Sequence, residues 1–165
     1  MTDTYVEFGV KQKGTAKTFL CKAAFIVAIL VGLYISTFSQ FLYVVPVIAI
    51  VVAFYMIPRF NYEYEYIYVD GEFNFDRIMG GAKRKTVLKI DLENVEMIAP
   101  SDSQEILAYN HKEGMKDYNF SSLNADAKTY TLIGSVEGNY LRVVFEPNEK
   151  MIEAARAKSR SKVRA

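Results

Sequence analysis

The chain is 165 residues long with a formal net charge of +1 and one cysteine, Cys21, which excludes an internal disulfide and suits a reducing compartment. That length leaves room for one soluble domain of roughly 100 residues beside a long apolar stretch. The near-neutral total hides an uneven distribution: Arg59 to Phe145 holds 10 basic and 14 acidic residues, whereas Glu146 to the end holds 6 basic and 3 acidic.

Residues 1–18 read as a short basic arm on the cytoplasmic side. Gly9 and Gly14 interrupt it and no apolar period is sustained, so it is expected to be mobile, with Val6 and Phe8 available for an extended piece against the domain or at the membrane interface. From Ala23 to Ile57 there follow 35 residues without Asp, Glu, Lys or Arg. A single helix of that length would reach about 52 Å, against a hydrocarbon core of about 30 Å. Two short spans fit instead, at about residues 19–37 and 41–57, broken at the polar cluster Ser36-Thr37-Phe38-Ser39-Gln40. Pro46 falls in the opening turns of the second span, where a proline does least harm. A cleaved signal peptide is disfavoured by the length and by the want of a small-residue cleavage site.

Lys11, Lys13, Lys17 and Lys22 precede the first span and Arg59 follows the second, while the intervening turn is uncharged. Both termini are therefore expected in the cytoplasm, in a multi-pass protein of the cell membrane. Ala24, Ala28, Gly32 and Ser36 form a small-residue stripe on the first helix, and Ala49 with Ala53 on the second. Packing of the two helices within one chain is favoured over self-association. No ionisable residue lies deep in either span, which gives no sign of a transport path. Cys21 at the inner interface is read as a small apolar residue in preference to a palmitoylation site.

Residues 59–158 read as a β-rich cytoplasmic domain. Tyr62, Tyr64, Tyr66 and Tyr68 alternate with Glu63, Glu65, Ile67 and Val69, the period of a strand. Asp70-Gly71 signals a two-residue hairpin turn into a second strand, Glu72 to Met79. The basic run Lys83-Arg84-Lys85 falls in the following loop. Further strands are expected at Val87 to Leu92, Val95 to Ile98, Ile106 to Tyr109, Thr129 to Val136 and Tyr140 to Phe145, with a long polar loop over 111–127 and a short structured piece at Tyr118 to Phe120. Pro147 opens a terminal helix, with Asn148 or Glu146 as its candidate cap, whose apolar stripe is Met151, Ile152 and Ala155. Residues 159–165 form a basic tail, expected to be mobile because Val163 is its only sizeable apolar residue.

About seven strands closed by one helix give a mostly-β, α+β soluble domain behind a membrane α-helical hairpin. The aromatic hairpin around Asp70-Gly71, the segment Lys89 to Ile98 and the run Val143-Val144-Phe145-Glu146-Pro147-Asn148 resemble a pleckstrin-homology-like fold, a bent antiparallel sheet or barrel plugged by its C-terminal helix. That resemblance covers about Asn61 to Lys158, and the chain as a whole is similar to an uncharacterised bacterial family of membrane proteins with two helices followed by such a domain. The resemblance implies a fold and a membrane location and carries no catalytic residues.

His111 is the only histidine and has no triad partner. Nothing has metal-ligand spacing, and Gly80-Gly81 lacks the strand–loop–helix context of a phosphate loop. No cofactor, no metal and no catalytic residue is expected. The candidate contacts to lipid or partner are Lys83, Arg84 and Lys85, with a solvated hairpin tip as the favoured alternative, and the tail residues Arg156, Lys158, Arg160, Lys162 and Arg164, each worth about 1 kcal/mol at an anionic leaflet. The tail lacks a stacking aromatic, so nucleic acid ranks below lipid headgroups as a partner. The expected function is non-catalytic binding or scaffolding at the inner leaflet, with the lipid bilayer and another membrane or membrane-associated protein as partners. The alternative is an accessory subunit of a membrane enzyme or transporter acting on lipids or envelope precursors.

Overall fold

A computed structural model describes residues 5–14, 16–38, 43–57, 62–81, 83–111 and 114–164. Two compact units emerge, one of Met1–Gln12, Glu63–Ile78 and Arg84–Ala165, the other of Lys13–Tyr62 and Met79–Lys83.

The second unit is a pair of apolar helices, α1 (Ala16–Ser36) and α2 (Val44–Met56). Within α1, Thr18–Ser36 is long and apolar enough to cross a membrane, with a mean hydropathy of 2.2, while α2 is a shorter apolar helix. Large apolar side chains, among them Phe19, Leu30, Ile48 and Phe54, stand exposed on both. Only part of the small-residue stripe is covered: a Cβ on Gly32 would lie 3.3 Å from Pro46 Cβ and Ala53 is buried, whereas Ala24 and Ala28 are exposed. Ser36 is buried as well, and its hydroxyl donates to the Gly32 carbonyl at 2.7 Å, a back-bond that removes the cost of an unpaired hydroxyl in an apolar setting. Four of the five residues of the expected polar break extend past α1: Thr37 and Phe38 form a turn, and positions 39–40 lie outside the described residues, as does Arg59.

Among the described residues, the first unit contains eight strands in two sheets. One has the order β1-β2-β3-β4, from β1 (Tyr5–Lys11), β2 (Tyr62–Val69), β3 (Glu72–Met79) and β4 (Lys83–Asp91). The other has the order β5-β7-β8-β6, from β5 (Val95–Pro100), β6 (Lys116–Asn119), β7 (Tyr130–Val136) and β8 (Asn139–Phe145). The two hairpin turns at Asp70-Gly71 and Glu137-Gly138 put both central residues at positive φ, the geometry that matches strand twist in a two-residue turn. Tyr66, Tyr68, Phe73, Phe75, Phe120 and Phe145 fill one core shared by both sheets, in edge-on and stacked contacts 4.7–6.2 Å apart. The Tyr66 hydroxyl donates to the Phe120 carbonyl at 2.6 Å, and burial pushes its ionisation far upward. The helix α4 (Glu149–Lys158) is capped by Asn148, whose Oδ1 accepts from the Met151 amide at 2.9 Å, and buries Met151, Ile152 and Ala155 in this core.

Four expectations are overturned. The N-terminal arm is not mobile: the extended piece open to Val6 and Phe8 is realised, since residues 5–11 are the edge strand β1, antiparallel to β2 from Tyr5↔Val69 to Lys11↔Glu63, with Val6, Phe8 and Val10 against the core. Pairing supplied the backbone bonds that a count of apolar residues in isolation does not see. Ile106 to Tyr109 is no strand. Gln104–Leu107 forms a short helix, α3, with Ala108–His111 a 3-10 turn after it, and a single buried residue, Ile106, packs it on Ala99 and Ile133. The run 83–85 is not a loop tip, because β4 begins at Lys83. The tail is not free beyond the helix: Val163 is 1 % exposed and bridges in parallel to Ile98 on the outer edge of β5.

Candidate binding surfaces

The basic run on β4 divides by partner. Lys83 and Lys85 are exposed, and among the described residues neither has an ion pair. Arg84 is engaged: its guanidinium pairs with Glu65 on β2 and lies 3.9 Å from Asp76 on β3. Asp76 is only 6 % exposed, so its charge rests on that neighbour. Next to them on β1, the Tyr5 hydroxyl donates to Glu7. Burial, and then a hydrogen bond shared with Glu7, hold the Glu65 carboxyl above its usual range. The Tyr5 hydroxyl, and then Glu65, hold Glu7 below it. One cluster of Tyr5, Glu7, Glu65, Asp76 and Arg84 thus straps all four strands of the first sheet together, and Arg84 acts within the fold.

The tail cations divide in the same way. Lys158 meets Asp70 at 3.3 Å. The Lys162 ammonium donates to the carbonyls of Leu92 and Glu93 at 2.9 and 2.7 Å. Arg164 lies 3.9 Å from Glu105 on α3. A cavity of about 480 Å³ opens between the Asp70-Gly71 turn and the end of α4, lined by Asp70, Asp91, Glu93, Lys158 and Lys162. Its two cations face three carboxylates, so it is no anion site. Arg156 and Arg160 are exposed and, among the described residues, free of ion pairs. Of the eight expected contacts, Lys83, Lys85, Arg156 and Arg160 keep their charge available, and the other four spend it on the fold.

Sequence reasoning missed a polar groove on the second sheet. The strand β6 runs parallel to β8 and sets Asp117 opposite Arg142. The pair is bidentate, at 2.7 and 2.9 Å, which raises the guanidinium's basicity further. Beside it, Ser101 and Thr131 share a hydroxyl contact of 2.8 Å, and Asn119 and Tyr118 complete a cavity of about 330 Å³. The short structured piece expected at Tyr118 to Phe120 overlaps β6, but a four-residue parallel strand inside a polar stretch has no period or turn chemistry to name its partner, so its pairing with β8 and the groove were not legible. Among the described residues, no three His, Cys, Asp or Glu side chains are grouped to hold a metal ion.

A two-sheet core closed by a C-terminal helix is the arrangement of a pleckstrin-homology-like domain, and comparison with protein families agrees: the family described as Bacterial PH-like domain (DUF6106) matches residues 2–165. The chain belongs to this family. The match runs through the helical pair as well as the sheets, so in this bacterial PH-like family the apolar helices fall within the family's own span. No curated protein and no solved structure matches the chain. The PH-like fold supports a role in binding or scaffolding, and one helix, α1, is apolar enough to suggest an anchor.

Proposed function

We infer that the chain is a membrane-tethered binding module in which α1 and α2 both cross the bilayer and the PH-like domain is presented at the cytoplasmic leaflet without catalytic activity of its own. The observation that carries this reading is the ladder between β1 and β2. The two strands pair over seven residues, with Lys11 opposite Glu63, yet the whole helical pair separates them in sequence. A chain that crossed a bilayer once would leave these strands on opposite sides with no ladder, so a crossing by α1 calls for a return through α2. The described turns of α2 cover about 20 Å, and the apolar residues Phe41 to Tyr43 and Ile57 extend the run toward the thickness of the core. The lysines before α1 favour the cytoplasm for both ends. Lys83, Lys85, Arg156 and Arg160 are then the side chains available to anionic headgroups, and a membrane-associated protein is the partner of the remaining surface.

Cysteine accessibility tests the reading. In a Cys21→Ser background, Ser39→Cys is expected to react with an impermeant maleimide on intact cells, and Arg160→Cys only after permeabilisation. Labelling of both from one side would place α1 and α2 outside the bilayer, and the reverse pattern would invert the orientation.

A further inference from the structure

Residues 159–164 do more than end the chain. The Ile98 amide donates to the Lys162 carbonyl at 2.7 Å, and the Arg164 amide donates back to the Ile98 carbonyl at 2.8 Å. The strand β5 is the edge of its sheet, so this bridge covers polar groups that would otherwise face solvent as a template for pairing. Three consecutive seats accompany it. The Lys162 ammonium sits on two carbonyls of the turn Leu92–Asn94. Val163 fills a place in the main core at 1 % exposure. Arg164 faces Glu105.

We propose that the β5 edge is a strand-docking site, occupied in cis by the chain's own tail and able to exchange it for an extended partner segment in which a β-branched residue stands between two basic ones. The backbone bonds are independent of sequence, as in other strand additions, and the three seats supply the specificity. The carbonyl pair accepts an ammonium, the core niche accepts a side chain of valine size, and Glu105 accepts a second cation. Outside the Val163 and Lys162 seats the hold in cis is slight: one bridge, with Arg160 and Ser161 in an exposed turn before it, and an Arg164–Glu105 pair more than half exposed on both sides, a kind that contributes little. A tethered tail nevertheless acts at an effective concentration in the millimolar range, so a free peptide meets a closed site until the tail is weakened. This proposal deepens the binding role inferred above and does not depend on the membrane crossing.

The test uses the full chain in detergent and a fluorescent peptide with the sequence of residues 159–164, read by anisotropy. Val163→Asp puts a charge into the buried seat and releases the tail. This variant is expected to bind the peptide at least tenfold more tightly than the wild type, and to ignore a scrambled peptide of the same composition. Equal binding by the two proteins, or equal binding of the scrambled peptide, overturns the proposal. Should Val163→Asp fail to fold, amide exchange on the wild type decides. The Ile98 and Arg164 amides are expected to exchange at least tenfold faster than the slowest amides of β7 and β8, and equal protection shows that the tail never leaves. The cysteine-labelling result stands or falls separately from either outcome.

Discussion

Two carboxyl groups near the Arg84 guanidinium, Glu65 and Glu7, are shifted in opposite directions, with opposite consequences for stability. Glu65 is held above its usual range, so the folded chain keeps a proton that the unfolded chain releases above about pH 4.3. Stability from this group is present below that value and is lost as pH rises through the raised range. Glu7 is held low and has the reverse sign: its contribution is present above about pH 4.3 and is lost as pH falls through its lowered range. Glu65→Gln is therefore expected to flatten the fall in melting temperature of the detergent-solubilised chain as pH rises above about 4.3, while leaving the acid-side loss in place. Parallel profiles for the two proteins would remove Glu65 from the account. Packing sets a second residue-scale limit. A Cβ on Gly134 would stand 2.8 Å from the Asn94 carbonyl oxygen and 3.2 Å from the Val95 Cα, and backbone cannot yield as a side chain tip can. Gly134→Ala is expected to cost about 2 kcal/mol and to lower the melting temperature by roughly 10 °C. A change within about 1 °C, on the same scale, would refute the close approach. Neither feature was legible in the chain alone. Glu65 looks like any outward residue of an alternating strand, and its burial beside Asp76 appears only once β3 and β4 are laid beside β2.

Elements were legible in proportion to how local their causes are. The hairpin at Asp70-Gly71 and the stripe Met151, Ile152 and Ala155 rest on neighbours in sequence and stand as read, and of the two candidate caps, Asn148 and Glu146, the helix uses Asn148. What escaped rests on distant partners: β1 on β2, β6 on β8, Ile106 on Ala99 and Ile133, and Val163 on Ile98. The tail has too few apolar side chains to hold itself by burial alone, and its backbone bonds and the Lys162 ammonium supply the rest. The ladder of β1 also changes where the soluble domain can be cut. A chain begun at Glu63 loses Val6, Phe8 and Val10 from the core and bares the edge of β2, so it is expected to aggregate. Replacing residues 12–62 by an Asn-Gly turn joins two register partners directly, and is expected to give a soluble, folded domain by size exclusion and circular dichroism. A fragment from Glu63 onward that proved equally soluble and equally stable would show β1 to be dispensable.

At the scale of the whole molecule, the apolar helices are an insertion in a sheet. They lie between two strands that pair, where a turn of two residues would otherwise do, and the family match spans both parts as one unit of sequence. The apolar stretch was plain in the sequence because absence of charge over such a length has few other meanings. The insertion was not, because nothing in residues 5–11 names the strand they pair with. This arrangement also sets an order in time. The strand β1 leaves the ribosome first, and its partner β2 follows only after the helices have been made. At about 5–20 residues per second, that is a wait of roughly 3 to 12 s. During it, Val6, Phe8 and Val10 have no core and both edges of the strand are open. Under the double crossing proposed above, pairing with β2 becomes available only when the chain has turned back to the side it started from, so completion of the first sheet would report that the helices have been placed.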